Sequence, residues 1–299
     1  MDALPIEEKT GAPYASRHPG RMHACGHDGH MAILLELARR LSRGGSRSRN
    51  VLLVFQPAEE ATGGAYDICE SGVFSDYAVE AIFGLHLWPG LTKGRVFSRP
   101  GEMMSRSAEL DVEIFGKSAH IGRSWEGVDA MEAACLFLQK AYALERSVPE
   151  DIRRLLKFGK MESGTVRNAI SAHTYLGGGL RAFSDEVFFG LRDRLLDIAK
   201  EVEGQFGCTV KLHLSNGYPA IHNPKELHDR VHAIAPFENL EEPSMTTEDF
   251  SWYQRYVPGM FFFLGLGDSP ALHSDNFDFD ESVLNIGADF FEKIAEGWA

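Results

Sequence analysis

Apolar and polar positions change rhythm twice along this chain. In the first third, Ile33, Leu34, Leu37, Ala38 and Leu41 recur at helical spacing, which predicts a helix capped by Asp28. Ser42 to Asn50 is rich in Ser, Arg and Gly and reads as a loop. Val51 to Phe55 and Ala81 to Leu85 are short all-apolar runs, the pattern of strands buried on both faces. In the middle third, Ala108 to Ile114 alternates apolar and polar residues, and a helix with Ala130, Ala133, Ala134, Phe137 and Ala141 on one side follows. Strands are then expected near Lys157 to Thr165 and Thr174 to Phe183. A strongly amphipathic helix from Val187 to Val202 and a strand from Thr209 to Leu214 complete the series. The order β-α-β-β-α-β is the ferredoxin-like pattern. The last third returns to a buried strand at Met260 to Leu266 and a helix at Glu281 to Trp298. The fold class expected is therefore α/β: a sheet domain from residues 1–104 plus 216–299, with an inserted ferredoxin-like α+β domain at 105–215.

With 299 residues, two domains with sizeable cores are possible. Hydrophobic residues at 44% and charged residues at 24% predict packed domains rather than disorder. The net charge of -13 argues against a nucleic-acid surface. Cys25, Cys69, Cys135 and Cys208 are widely spread, which suits reduced thiols in the cytoplasm. The longest apolar run, Met260 to Leu266, is too short to span a bilayer. No basic segment followed by an apolar one opens the chain, so no secretory signal is expected. Met1 to Pro5 reads as a site loop with no strand or helix before it, which predicts a chain shortened at its front.

The densest chemistry lies in His23-Ala24-Cys25-Gly26-His27-Asp28-Gly29-His30. Thiolate and imidazole are good ligands for borderline metals such as zinc. The ordinary reading is a polar loop with a buried free Cys. Gln56-Pro57-Ala58-Glu59-Glu60 follows the first apolar run; one carboxylate there could bind metal while its neighbour serves as base, or both could be solvated. His86, beside the second apolar run, and His273, after the last one, are each weak signals alone. Strand ends in α/β sheets collect sites, so their convergence favours a metal cleft. His120, Asn168 and Arg181 lie in the inserted domain; Arg can grip a carboxylate and Asn adds a donor, but a structural or exposed role is the ordinary reading of each.

These motifs, with Met1-Asp2-Ala3-Leu4-Pro5 and Gly84-Leu85-His86-Leu87-Trp88-Pro89, resemble a metallopeptidase-like family. It comprises aminoacylases, hippurate hydrolases, plant auxin-conjugate amidohydrolases and carboxypeptidase G-type enzymes. The Cys-Gly-His form looks like its amidohydrolase branch. Leu156 to Phe183 and Met245-Thr246-Thr247-Glu248-Asp249-Phe250 look similar to bacterial N-acetyldiaminopimelate deacetylase-like members. The resemblance implies that Cys25, His27, Glu60, His86 and His273 hold two divalent ions, zinc or manganese, with cobalt or nickel as further options. It implies Glu59 as general base, His120 as oxyanion stabiliser, Asn168 and Arg181 as binders of the substrate carboxylate, and Asp2 as a support of the metal site. The family normally carries several tens of residues ahead of Met1.

The activity implied is metal-dependent hydrolysis of N-acyl amino acids. N-acetyl-diaminopimelate, an intermediate of lysine biosynthesis, is the favoured substrate, ahead of a broad aminoacylase or hippurate hydrolase. A homodimer through the inserted lid domain is implied, with no nucleic-acid or membrane partner. Two other readings stay open: a cysteine hydrolase using Cys25, and an inactive metal-binding relative.

Overall fold

The computed structural model describes residues 2–44, 48–61 and 63–298; Met1 and residues 45–47 of the expected loop lie outside them. The chain begins with helices α1 (His27–Arg43), α2 (Gly64–Glu70) and α3 (Val73–Asp76), then strands β1 (Ile82–Trp88), β2 (Val96–Ser98) and β3 (Gly101–Met104). Next come β4 (Arg106–Phe115), α4 (Ala130–Ser147), β5 (Arg154–Ser163), β6 (His173–Ala182), α5 (Asp185–Phe206) and β7 (Thr209–Leu214). The chain closes with β8 (Ile221–Asn223), α6 (Lys225–Ile234), β9 (Glu238–Asn239), β10 (Gly259–Gly265) and α7 (Ser282–Gly297). Short 3-10 helices occupy Ile121–Glu126 and Asp249–Arg255. Among the described residues, no helix is long and apolar enough to cross a membrane.

Two compact units result: Met1–Met103, Ile221–Pro243 and Glu248–Ala299 form one, and Met104–Ala220 with Ser244–Thr247 form the other. In the first, β1, β10, β2 and β9 lie side by side in that order. The pairing is parallel between β1 and β10, antiparallel between β10 and β2, and parallel between β2 and β9. Every side chain from Met260 to Leu264 is apolar because β10 is covered on both faces. Met260, Phe262 and Leu264 join the main core with Ile33, Val283 and Phe290, and the Phe262 and Phe290 rings lie 4.9 Å apart. On the opposite face Phe261 meets Phe250 at 5.0 Å.

Two local expectations are corrected. Helix α1 is entered through Gly26, at φ 80°, and Asp28 sits in the first turn without capping it. A Cβ on Gly26 would also come within 3.2 Å of Leu87, so the left-handed turn and the close packing both favour glycine. Second, Val51 to Phe55 form no strand. Val51, Leu52 and Phe55 are exposed, 40–45% of their surface meeting solvent. A strand needs a neighbour to take its backbone groups, and none of the described strands pairs with this run or with the edge of β1 facing away from β10. The run instead walls a groove of about 620 Å³, faced by Ile82 to Leu85 of β1.

In the second unit the antiparallel order is β5, β6, β4, β7, the strand arrangement of a ferredoxin-like sheet. Ala108, Leu110, Val112 and Ile114 alternate inward from β4 against Phe137 of α4 and Leu195 of α5. The helix starts explain themselves: Asp129 accepts the Met131 N–H at 2.9 Å, and Ser184 accepts that of Val187 at 3.1 Å.

Burial makes a direct prediction. Phe262→Ala should destabilise the protein by about 3–5 kcal/mol in chemical denaturation, whereas Leu52→Ala should stay within about 0.5 kcal/mol. A large loss from Leu52→Ala would mean that the 51–55 run is packed in solution.

Candidate metal centre

The centre lies in the first unit, and four remote stretches of chain build it. Gly26 turns the chain so that Cys25 and His27 flank the start of α1. His86 lies inside β1, not beyond its end as expected, and is 5% exposed. Its Nδ1–H donates to the Leu87 carbonyl at 2.6 Å, which turns Nε2 toward Cys25 Sγ at 3.4 Å. His273 adopts a left-handed backbone, φ 63°, costly for a residue with a side chain. Its N–H donates to the Ala24 carbonyl at 2.7 Å, which anchors the loop beside Cys25. His273 Nε2 then lies 3.3 Å from Cys25 Sγ and 3.1 Å from Glu60 Oε1.

Two triplets of donor atoms emerge, Cys25–His27–His86 and Cys25–Glu60–His273, each with its donor atoms mutually within 4.8 Å. Cys25 belongs to both. The donor chemistry suits borderline divalent ions. The buried Glu60 Oε1 has only the His273 ring nitrogen beside it, 3.1 Å away, and receives no well-formed hydrogen bond, a need that a cation would satisfy. The residues therefore fit the metal that the sequence implied.

Asp2 ties this set to the neighbouring turn. Its Oδ2 accepts the Glu59 N–H at 2.7 Å and the Glu60 N–H at 3.2 Å, and lies 3.2 Å from His27 Nδ1. Burial, then the carboxylates of Glu60, Asp249 and Asp2, push the Glu59 carboxyl up to about 8. Burial, then Glu60, Glu59 and Glu248, push the Cys25 thiol up. Burial, then His27 and His273, pull His86 down to about 3, so it is a neutral donor. His30 is also held neutral by burial and by His86 and His27, and its Nε2 accepts the Leu87 N–H at 3.0 Å.

Two further acids join the cluster: donor oxygens of Glu59, Glu248 and Asp249 lie within 4.8 Å of one another. Motif reading assigned neither Glu248 nor Asp249 a role. Their signal was an acidic pair set directly before Phe250 in a buried segment, since charge between core residues needs a reason.

The other three candidates lie in the second unit. His120 caps the Ile121–Glu126 turn, its Nδ1 accepting the Gly122 N–H at 3.1 Å. Asn168 is its neighbour through the bridge between His120 and Ala169, and its carbonyl accepts the Ile121 N–H at 3.0 Å. Arg181 lies on β6, apart from that bridge; it donates to the Met245 carbonyl, and burial lowers its pKa.

The sequence pattern of Peptidase family M20/M25/M40 matches residues 1–297. The chain belongs to that family. It is 34% identical over 296 residues to the N-acetyldiaminopimelate deacetylase of Lacticaseibacillus casei, covering 96% of this chain and 77% of the relative. The same enzyme of Exiguobacterium sibiricum is also 34% identical, with 98% and 81% covered. Among solved structures, a putative aminohydrolase from methicillin-resistant Staphylococcus aureus matches with a TM-score of 0.90 and 28% identity, over 98% of this chain and 79% of that one. A dinuclear metal-binding M20 peptidase from Bacillus subtilis matches with a TM-score of 0.82 and 27% identity, over 98% and 78%.

The charge pattern of this M20 member predicts a pH signature for the metal-free protein. Glu59 is raised from 4.5 to about 8, so the folded state holds a proton that the unfolded state releases, and stability declines as pH rises through that window. His86 opposes this only below 6.5, where the unfolded imidazole gains its proton first. Melting temperature of the metal-free protein should thus fall between pH 6.5 and 8, and Glu59→Gln should flatten the slope. An unchanged slope in the variant would refute this account of Glu59.

Proposed function

We propose that this protein is a metal-dependent amidohydrolase that removes the acyl group of an N-acyl amino acid, with N-acetyl-diaminopimelate as its substrate. The observation that carries the reading is Cys25 Sγ lying 3.4 Å from His86 and 3.3 Å from His273, so that one thiol joins two donor triplets beside Glu59. The deacetylase names of relatives at 34% identity support the substrate class. Cys25, His27, Glu60, His86 and His273 would hold two divalent ions, zinc or manganese. When bound, such ions polarise an amide carbonyl and acidify water.

The chain's own groups supply the proton traffic. Glu59 takes the proton of the attacking water and delivers it to the departing amine; burial raises its proton affinity, which suits a carboxyl that must both accept and return a proton. His86 keeps its lone pair on Nε2 because Nδ1–H is committed to Leu87. Cys25 serves as ligand rather than nucleophile, since burial and the surrounding carboxylates oppose a free thiolate. His120 would meet the oxyanion, and Arg181 and Asn168 the free carboxylate of the substrate. The second unit would act as lid and as homodimer contact, in the cytoplasm.

Zinc- or manganese-loaded protein should release acetate from N-acetyl-diaminopimelate faster than acyl groups from hippurate or N-acetyl-methionine. Comparable rates on all three would replace the proposed substrate with a broad acylase. Glu59→Gln should lower kcat by about 10²–10⁴-fold while retaining its metal. Full activity after chelation would overturn the metal reading and restore a cysteine hydrolase.

A further inference from the structure

The turn that presents Glu59 has little regular structure of its own. Residues 51–58 carry no helix or strand, and Ala58 takes a left-handed backbone at φ 62°. Gly64 touches the turn so closely that a Cβ there would fall 2.1 Å from the Pro57 carbonyl oxygen. Such a segment relaxes unless its surroundings hold it.

The grip comes from one fully buried carboxylate. Asp249 accepts Gln56 Nε2 at 2.8 and 2.7 Å on its two oxygens, and Oδ2 also accepts the Ala65 N–H at 3.1 Å. Gln56 is fixed in turn: its Oε1 accepts the Tyr253 hydroxyl at 2.7 Å. Tyr253 is buried between Phe74 and Phe250, each ring 5.6 Å away. The stretch 56–65 is thus held at both ends by Asp249 and in the middle by Asp2. A carboxylate suits this task because Gln56 Nε2 and the Ala65 N–H, which grip the turn, are both donors. It is an expensive choice for stability alone, as its oxygens share a 4.8 Å cluster with Glu59 and Glu248.

We infer that Asp249 is a positioning residue, acting through Gln56 and the Ala65 amide to hold Glu59 where it meets the reacting water. The inference rests on the proposed role of Glu59 as base. It is tested on the full chain with two variants. Asp249→Asn puts an amide donor against donors; Tyr253→Phe removes one hydroxyl and keeps the ring in the core.

Hydrogen exchange of the metal-free proteins gives a readout independent of activity. Residues 57–65 should exchange at least about tenfold faster in Asp249→Asn, and by a smaller factor in Tyr253→Phe, with β10 unchanged. In metal-loaded protein acting on N-acetyl-diaminopimelate, kcat should fall by about 10–100-fold in Asp249→Asn, with KM and bound metal unchanged. Unchanged exchange at 57–65, equal acceleration in β10, or a loss confined to KM would overturn the inference. If the wild-type protein hydrolyses no N-acyl amino acid, the proposed function fails, and exchange alone decides whether Asp249 holds the turn.

Discussion

Glu59, Glu248 and Asp249 crowd their oxygens within 4.8 Å at a turn that also carries Glu60, whose own neighbour is the thiol shared by two donor triplets. Burial raises the proton affinity of Glu59, Glu248, Asp249 and Cys25, and the mutual repulsion of the carboxylates adds to it. Such a group can persist in a folded protein only where protons or cations offset the charge. The rest of the first unit serves that constraint. An all-apolar β10 and the helices packed on it exclude water, while backbone donors from Glu59, Glu60 and Ala65 meet the carboxylates that remain.

The strands and helices of the second unit were legible because their signals are local and redundant. β4 alternates inward and outward over ten residues, and both helices carry side-chain caps. The Cys25–His27 part of the donor cluster was legible for another reason: Cys and His at close spacing have few ordinary uses. What the sequence could not convey was pairing. Val51 to Phe55 has the composition of a central strand, and composition reports a preference for burial, not the presence of a neighbour. Exposed and unpaired, the run becomes the wall of a groove.

Glu248 and Asp249 escaped notice because carboxylates are common and no spacing rule marks them. Their importance appears only once burial and partners are known, as with Gln56, which looks like an ordinary loop amide until Asp249 and Tyr253 are placed around it. Similarly, the left-handed backbone of His273 has no sequence signature, yet it lets the Ala24 carbonyl anchor the loop beside Cys25.

Asp2 carries a consequence of its own. One oxygen atom, Oδ2, faces the ring of His27 and both amides of the Glu59–Glu60 turn. His27 and the Glu59–Glu60 turn are therefore geared together through a single pivot. Any rotation of that carboxylate moves both at once, so a change that reorients the imidazole is felt by the turn as well.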